Sequence, residues 1–87
     1  MIKILDFYAD WCQPCKRLAP ILDKVSQDNP DISIEKINVE TDEENLSEPY
    51  GILSIPTLIF LKDNQMVDRI NGFVPEAKIL NTINKWK

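Results

Sequence analysis

Along the first residues of the chain, apolar side chains fall on both faces of an extended strand. Ile2, Ile4, Asp6 and Tyr8 point one way by alternation, and Leu5, Phe7 and Ala9 point the other. A strand that is apolar on both faces belongs in the middle of a sheet. From Cys12 the period lengthens. Leu18, Ile21, Leu22 and Val25 stand at i, i+3, i+4 and i+7, which predicts a helix reaching about Asp28. Pro14 fits its first turn, where a missing N–H costs nothing. Pro20 falls inside, where its ring opposes the Lys16 carbonyl and predicts a kink. Asn29-Pro30 ends the helix.

Residues 32–39 read as a second strand. Thr41-Asp42-Glu43-Glu44 has the pattern of a capping box, and predicts a short helix ending near Pro49-Tyr50-Gly51. Pro56 to Leu61 forms a third strand, Lys62-Asp63-Asn64-Gln65 a hairpin turn, and Met66 to Asn71 a fourth strand. Pro75-Glu76 opens a final helix with Ile79, Leu80 and Ile83 on its buried stripe. The order β-α-β-α-β-β-α requires one right-handed parallel crossover and one hairpin. This is an α/β chain, with helices covering a mixed sheet. With no repeat, linker or low-complexity tract, residues 1–87 are expected to form a single domain.

Composition removes several classes of function. The net charge is −4 and the one basic pair, Lys16-Arg17, is too short to track a phosphate backbone, so nucleic acid is not an expected partner. No apolar run approaches the roughly 18 residues of a membrane helix. The amino-terminal segment lacks the apolar stretch and cleavage site of a signal peptide, so a cytoplasmic protein is expected. Two cysteines and no histidine fall short of the four or so ligands of a zinc site within one chain, although two copies could share an ion.

Cys12 and Cys15 are separated by two residues, and a bridge between them would close almost no loop in the unfolded chain. The pair therefore reads as redox chemistry. Thiol-disulfide exchange needs an exposed thiolate and a second thiol poised to expel the mixed disulfide. Here a strand runs into Ala9-Asp10-Trp11, and Cys12 opens a helix whose unpaired N–H groups and positive dipole end favour a thiolate. Cys15 lies one turn inward, and Pro14 stiffens the turn between them. Two cysteines so spaced also occur as half of a zinc site, but a strand-to-helix junction in a chain without histidine favours the redox reading.

The segment Phe7-Tyr8-Ala9-Asp10-Trp11-Cys12-Gln13-Pro14-Cys15-Lys16 resembles the active-site segment of the thioredoxin family. Ala19-Pro20, Lys36-Ile37-Asn38-Val39-Glu40, Tyr50-Gly51-Ile52, Ile55-Pro56-Thr57 and Gly72 follow in family order, so the resemblance covers essentially the whole chain. It implies a minimal thioredoxin fold: a four-stranded mixed sheet of order 2-1-3-4, the last two strands antiparallel to the first, with three flanking helices. The family's usual first strand and helix have no counterpart here, which leaves residues 32–38 as a sheet edge. Gln13 stands where the family mostly carries glycine, so a family-typical reduction potential does not transfer.

The resemblance also implies roles. Asp6 is either a strand-end carboxylate in water or a buried acid of raised pKa that takes the proton of Cys15; the matched position favours the second. Lys36 is either an edge lysine that deters aggregation or an electrostatic support for that acid. Pro56 either opens a strand in the trans form or follows a cis peptide that sets the Ile55 backbone beside the dithiol, where a substrate strand could pair with it. Trp11 either packs or shields the site and meets substrates, and Gly72 is either a turn glycine or one that leaves room in a substrate groove. The function implied is protein-disulfide reduction by a monomer. It needs no bound cofactor beyond the Cys12–Cys15 disulfide, and is recharged by a flavin-dependent thioredoxin reductase drawing on NADPH. A glutathione-recharged glutaredoxin-like enzyme and an interaction subunit of a larger enzyme are the alternatives. Against the first stands Asn71-Gly72-Phe73, where such enzymes carry a Gly-Gly pair.

Overall fold

The double-faced strand sits where its pattern requires. In a computed structural model describing all residues, Met1–Lys87, β1 (Ile2–Tyr8) is followed by α1 (Gln13–Asp28), β2 (Ser33–Asn38), a 3-10 turn (Glu48–Tyr50), β3 (Thr57–Lys62), β4 (Gln65–Asn71) and α2 (Glu76–Trp86). The sheet order is β2-β1-β3-β4. β1 pairs in parallel with β2 and antiparallel with β3, and β3 pairs antiparallel with β4. Asp63 and Asn64 both have positive φ (52° and 69°), as a two-residue hairpin turn between β3 and β4 demands. Val67 is the extra residue of a bulge, because Phe60 faces Asp68 while Leu61 faces Met66.

The two faces of β1 feed two separate cores. Ile2 and Ile4 join Leu58, Phe60 and Ile70 from the sheet with Leu18, Leu22 and Val25 of α1 and Ile79 and Ile83 of α2. Leu5 and Phe7 join Ile37, Ile59 and Leu61 under Val39, Tyr50, Ile52 and Ile55. Both α-helices therefore cover one face, while the other is covered by the irregular segment 39–55.

The middle helix expected from the capping box does not form, so two helices and a 3-10 turn flank the sheet instead of three helices. Asp42 explains this. Its carboxylate accepts from the backbone N–H groups of Leu46 (2.8 Å) and Ser47 (2.9 Å), four and five residues on, and so satisfies donors that a helix would have used. These bonds hold the Asp42 carboxyl below its usual range, the Leu46 N–H contributing most. Asn45 then turns to φ 54°, which no helix accommodates. By contrast, α1 runs unbroken through Pro20, whose ring is exposed. β2 lies at the open edge, and its two charged residues are engaged within the chain: Glu35 with Lys3 at 2.8 Å and Lys36 with Asp23 at 3.3 Å.

Candidate active site

The end of β1 and the start of α1 meet at the two cysteines. Cys12 is the N-cap of α1 in an extended conformation (φ −83°, ψ 107°), and its Sγ accepts from the Cys15 N–H at 3.2 Å. Pro14 occupies the first turn of the helix. The two sulfurs are joined in a disulfide, with the Cα atoms 5.2 Å apart. The expectation that Cys12 would be the exposed member is not met in this oxidised form. Cys12 is 4% exposed and Cys15 7%, so burial does not tell them apart. Helix position does, because Cys12 is the residue whose sulfur receives a helix-terminal N–H. Gln13 is exposed at the first helical position and its side chain makes no hydrogen bond.

Asp6 is buried on β1, 5% exposed, with Oδ1 lacking any hydrogen-bond partner. Loss of water pushes its carboxyl from 3.8 up to about 6, and the Lys36 cation opposes the rise. Asp6 and Lys36 are register partners across β1 and β2. Asp6, Cys15, Lys36, Tyr8 and Ala19 line one cavity of about 230 Å3. That space is large enough for water to link a buried carboxylate to a neighbouring sulfur. The sequence-derived set Asp6, Cys15 and Lys36 is thus brought together. Asp23, which tethers Lys36, escaped the sequence reading because its place on an exposed helix face carries no signal of its own.

On the opposite side of the disulfide, the Ile55–Pro56 peptide is cis. Ile55 packs on the cluster of Ala9, Cys12 and Cys15. A groove of about 370 Å3 runs from Trp11 past Val39, Ile52, Leu53 and Ser54 to Ile55. Trp11 is 64% exposed and Leu53 97%, so both present apolar surface to solvent. Leu53 was not singled out from sequence, since one leucine in a loop looks like any other. Gly72 lies across the cis peptide, where its N–H donates to the Pro56 carbonyl at 2.7 Å. Its φ is 88°, and a Cβ built there would meet nothing within 4 Å. Conformation, not space, therefore demands glycine. Gly72→Ala is expected to lower stability by about 1 to 2 kcal/mol, read as a lower urea midpoint with an unchanged slope. An unaltered midpoint would show that the turn relaxes freely.

A family model described as Thioredoxin matches residues 1–85. Thioredoxin 1 of Synechococcus elongatus is 42% identical over 83 residues, covering 94% of this chain and 77% of that protein. The thioredoxin of Bacillus subtilis is 40% identical over 85 residues, covering 97% of this chain and 81% of its own. Among solved structures, Fasciola hepatica thioredoxin superposes with a TM-score of 0.90 at 34% identity, covering 99% of this chain and 81% of that one.

Proposed function

This chain belongs to the thioredoxin family and is a thiol-disulfide oxidoreductase, and from that premise we propose that it runs in the reducing direction, as a single functional unit spanning residues 1–87. The redox-active group is the Cys12–Cys15 pair itself. One observation carries the proposed direction and division of labour: Cys12 caps a helix N-terminus while Cys15 shares a cavity with a buried, unpartnered carboxyl.

In the reduced protein, the Cys12 thiolate is stabilised by the helix-terminal N–H groups and attacks one sulfur of a target disulfide. A Cys12–target S–S bond forms, the target bond breaks, and one target thiolate leaves. Asp6 then takes the Cys15 proton through the shared cavity. The Cys15 thiolate attacks Cys12 Sγ, closes the intramolecular disulfide and expels the second target sulfur as a thiolate, which is protonated as Asp6 gives up the proton it took. Two electrons pass from the dithiol to the target. A carboxylate beside Cys15 opposes further negative charge there, which disfavours the ionised dithiol and supports the electron-giving direction. Lys36 moderates that charge. Trp11, Ile55, Pro56 and Gly72 form the face that receives the target strand, with the Ile55 backbone available for pairing.

The finer assignments belong to the same proposal: a monomer in the cytoplasm, recharged by a flavin-dependent reductase drawing on NADPH. No helix is long and apolar enough to cross a membrane. The test is insulin reduction with each recharging system in turn. NADPH with thioredoxin reductase is expected to drive turnover at least about tenfold faster than glutathione with its reductase, roughly 1.4 kcal/mol in transition-state stabilisation. Faster turnover with glutathione would overturn the partner assignment, and none with either would overturn the reductase reading.

A further inference from the structure

Beside the groove that ends at the disulfide lies a second cavity, of about 380 Å3, lined by Gly51, Leu53, Ser54, Arg69 and Asn71. Leu53 and Ser54 also line the groove that holds Trp11 and Ile55, so the two are continuous. Arg69 is half-buried on β4 and has no carboxylate within salt-bridge distance. Its Nη1 donates to the Tyr50 carbonyl at 2.8 Å, and its Nε is buried without a partner. A guanidinium carries five N–H donors, and a partly buried one left without an anion is costly unless something supplies it. The Thr57 hydroxyl gives its single proton to the Ser54 carbonyl at 2.7 Å, and the exposed Asn71 amide, 3.3 Å from the same hydroxyl, keeps at least one N–H for a ligand. The lining thus offers a guanidinium, an amide and the Ser54 hydroxyl, and contains no acidic side chain. It is a local exception on a chain of net charge −4.

We propose that this cavity is an oxyanion subsite for the target, taking an aspartate or glutamate side chain that flanks the cysteine under attack. The proposal rests on the reductase reading and adds to it a class of preferred substrate. A polypeptide lying across Trp11 and Ile55 passes Leu53 and Ser54, and its next carboxylate falls within reach of Arg69. Guanidinium–carboxylate pairing is both strong and directional, so it fixes register as well as affinity. The shared chemistry is an oxyanion, and a free ion such as inorganic phosphate would satisfy it equally.

The experiment uses matched disulfide peptides that differ only by glutamate or glutamine, with that residue moved stepwise around the cysteine. The reduced protein is mixed with each, and second-order rate constants are compared. At the best position the glutamate peptide is expected to react about tenfold faster at low salt, with the advantage shrinking as salt rises. Arg69→Gln should bring the glutamate-to-glutamine ratio close to one, while Arg69→Lys should retain part of the advantage. Lys62→Gln removes the same net charge from a distant position on β3 and should keep the ratio of the parent. No glutamate preference at any position, or one that survives Arg69→Gln, would overturn the subsite. So would phosphate slowing both peptides equally through Arg69 without any glutamate advantage, since the site would then belong to a free ion. Failure to reduce either peptide is a separate result, which removes the reductase reading and the subsite with it.

Discussion

Replacing Cys15 with serine halts turnover and leaves the protein covalently attached to its targets. The Cys12 thiolate still attacks, because the helix terminus that stabilises it is untouched. The resulting mixed disulfide has no neighbouring thiol to break it, so steady-state reduction falls roughly a thousandfold or more while adducts accumulate. Cys12→Ser loses turnover to the same degree but forms no adduct, since Cys15 lies one turn inside the helix and lacks the capping position. Exposure offers no argument either way, the two residues being 4% and 7% accessible. Mass spectrometry of the two variants after incubation with a target disulfide separates the roles. Adducts on the Cys12→Ser variant and none on Cys15→Ser would reverse the assignment.

Asp6→Asn has two consequences of opposite sign. The folded protein holds the Asp6 carboxyl at about 6 against an ordinary value of 3.8, with loss of water as the leading cause. Between those values the unfolded chain has released the proton and the folded chain still binds it, so stability falls as pH rises. The contribution is fully present below 3.8 and is lost as pH passes through about 6, a rise of about two pH units worth roughly 3 kcal/mol. Asparagine cannot ionise. The oxidised variant should therefore be about 2 to 3 kcal/mol more stable than its parent near pH 8 and comparable near pH 3, with a flatter profile between. The second consequence is kinetic: the first attack on a target proceeds, and release of the mixed disulfide slows because Cys15 has lost its base. Urea midpoints against pH and stopped-flow traces of the two steps check both. Parallel pH profiles for parent and variant would show that Asp6 ionises freely, and equal slowing of both steps would remove its role as base.

Most of the fold was legible because each element announces itself in a different period. β1 carries apolar side chains on both faces and α1 at every third or fourth position, and their bounds fall within a residue of expectation. Asp6 on the Ile2–Ile4 face and Lys36 on the Ile34 face follow from strand alternation, the Cys12–Cys15 pair from its spacing at the strand-to-helix junction, and the roles of Asp6 and Lys36 from the resemblance to the thioredoxin family. The segment 41–47 misled. Thr41 and Glu44 have capping-box spacing, but local patterns record what a side chain can do, and Asp42 does something else with the same backbone donors. Arg69 and Leu53 were silent for another reason. Their significance lies in what is absent around them, a carboxylate for one and a covering side chain for the other, and absence has no sequence signature.

The irregular segment that covers the second core also sets how readily this protein can change its targets. Val39, Ile52 and Ile55 pack on Leu5, Phe7 and Ile59 with one side and line the groove with the other. A substitution there that reshapes recognition also opens a void over the sheet, and the two effects cannot be selected apart. Trp11, Ser47, Leu53 and Ser54 line the same groove without belonging to that core. Divergence of specificity is therefore channelled into those four positions, where a new target can be gained without spending the stability of the domain.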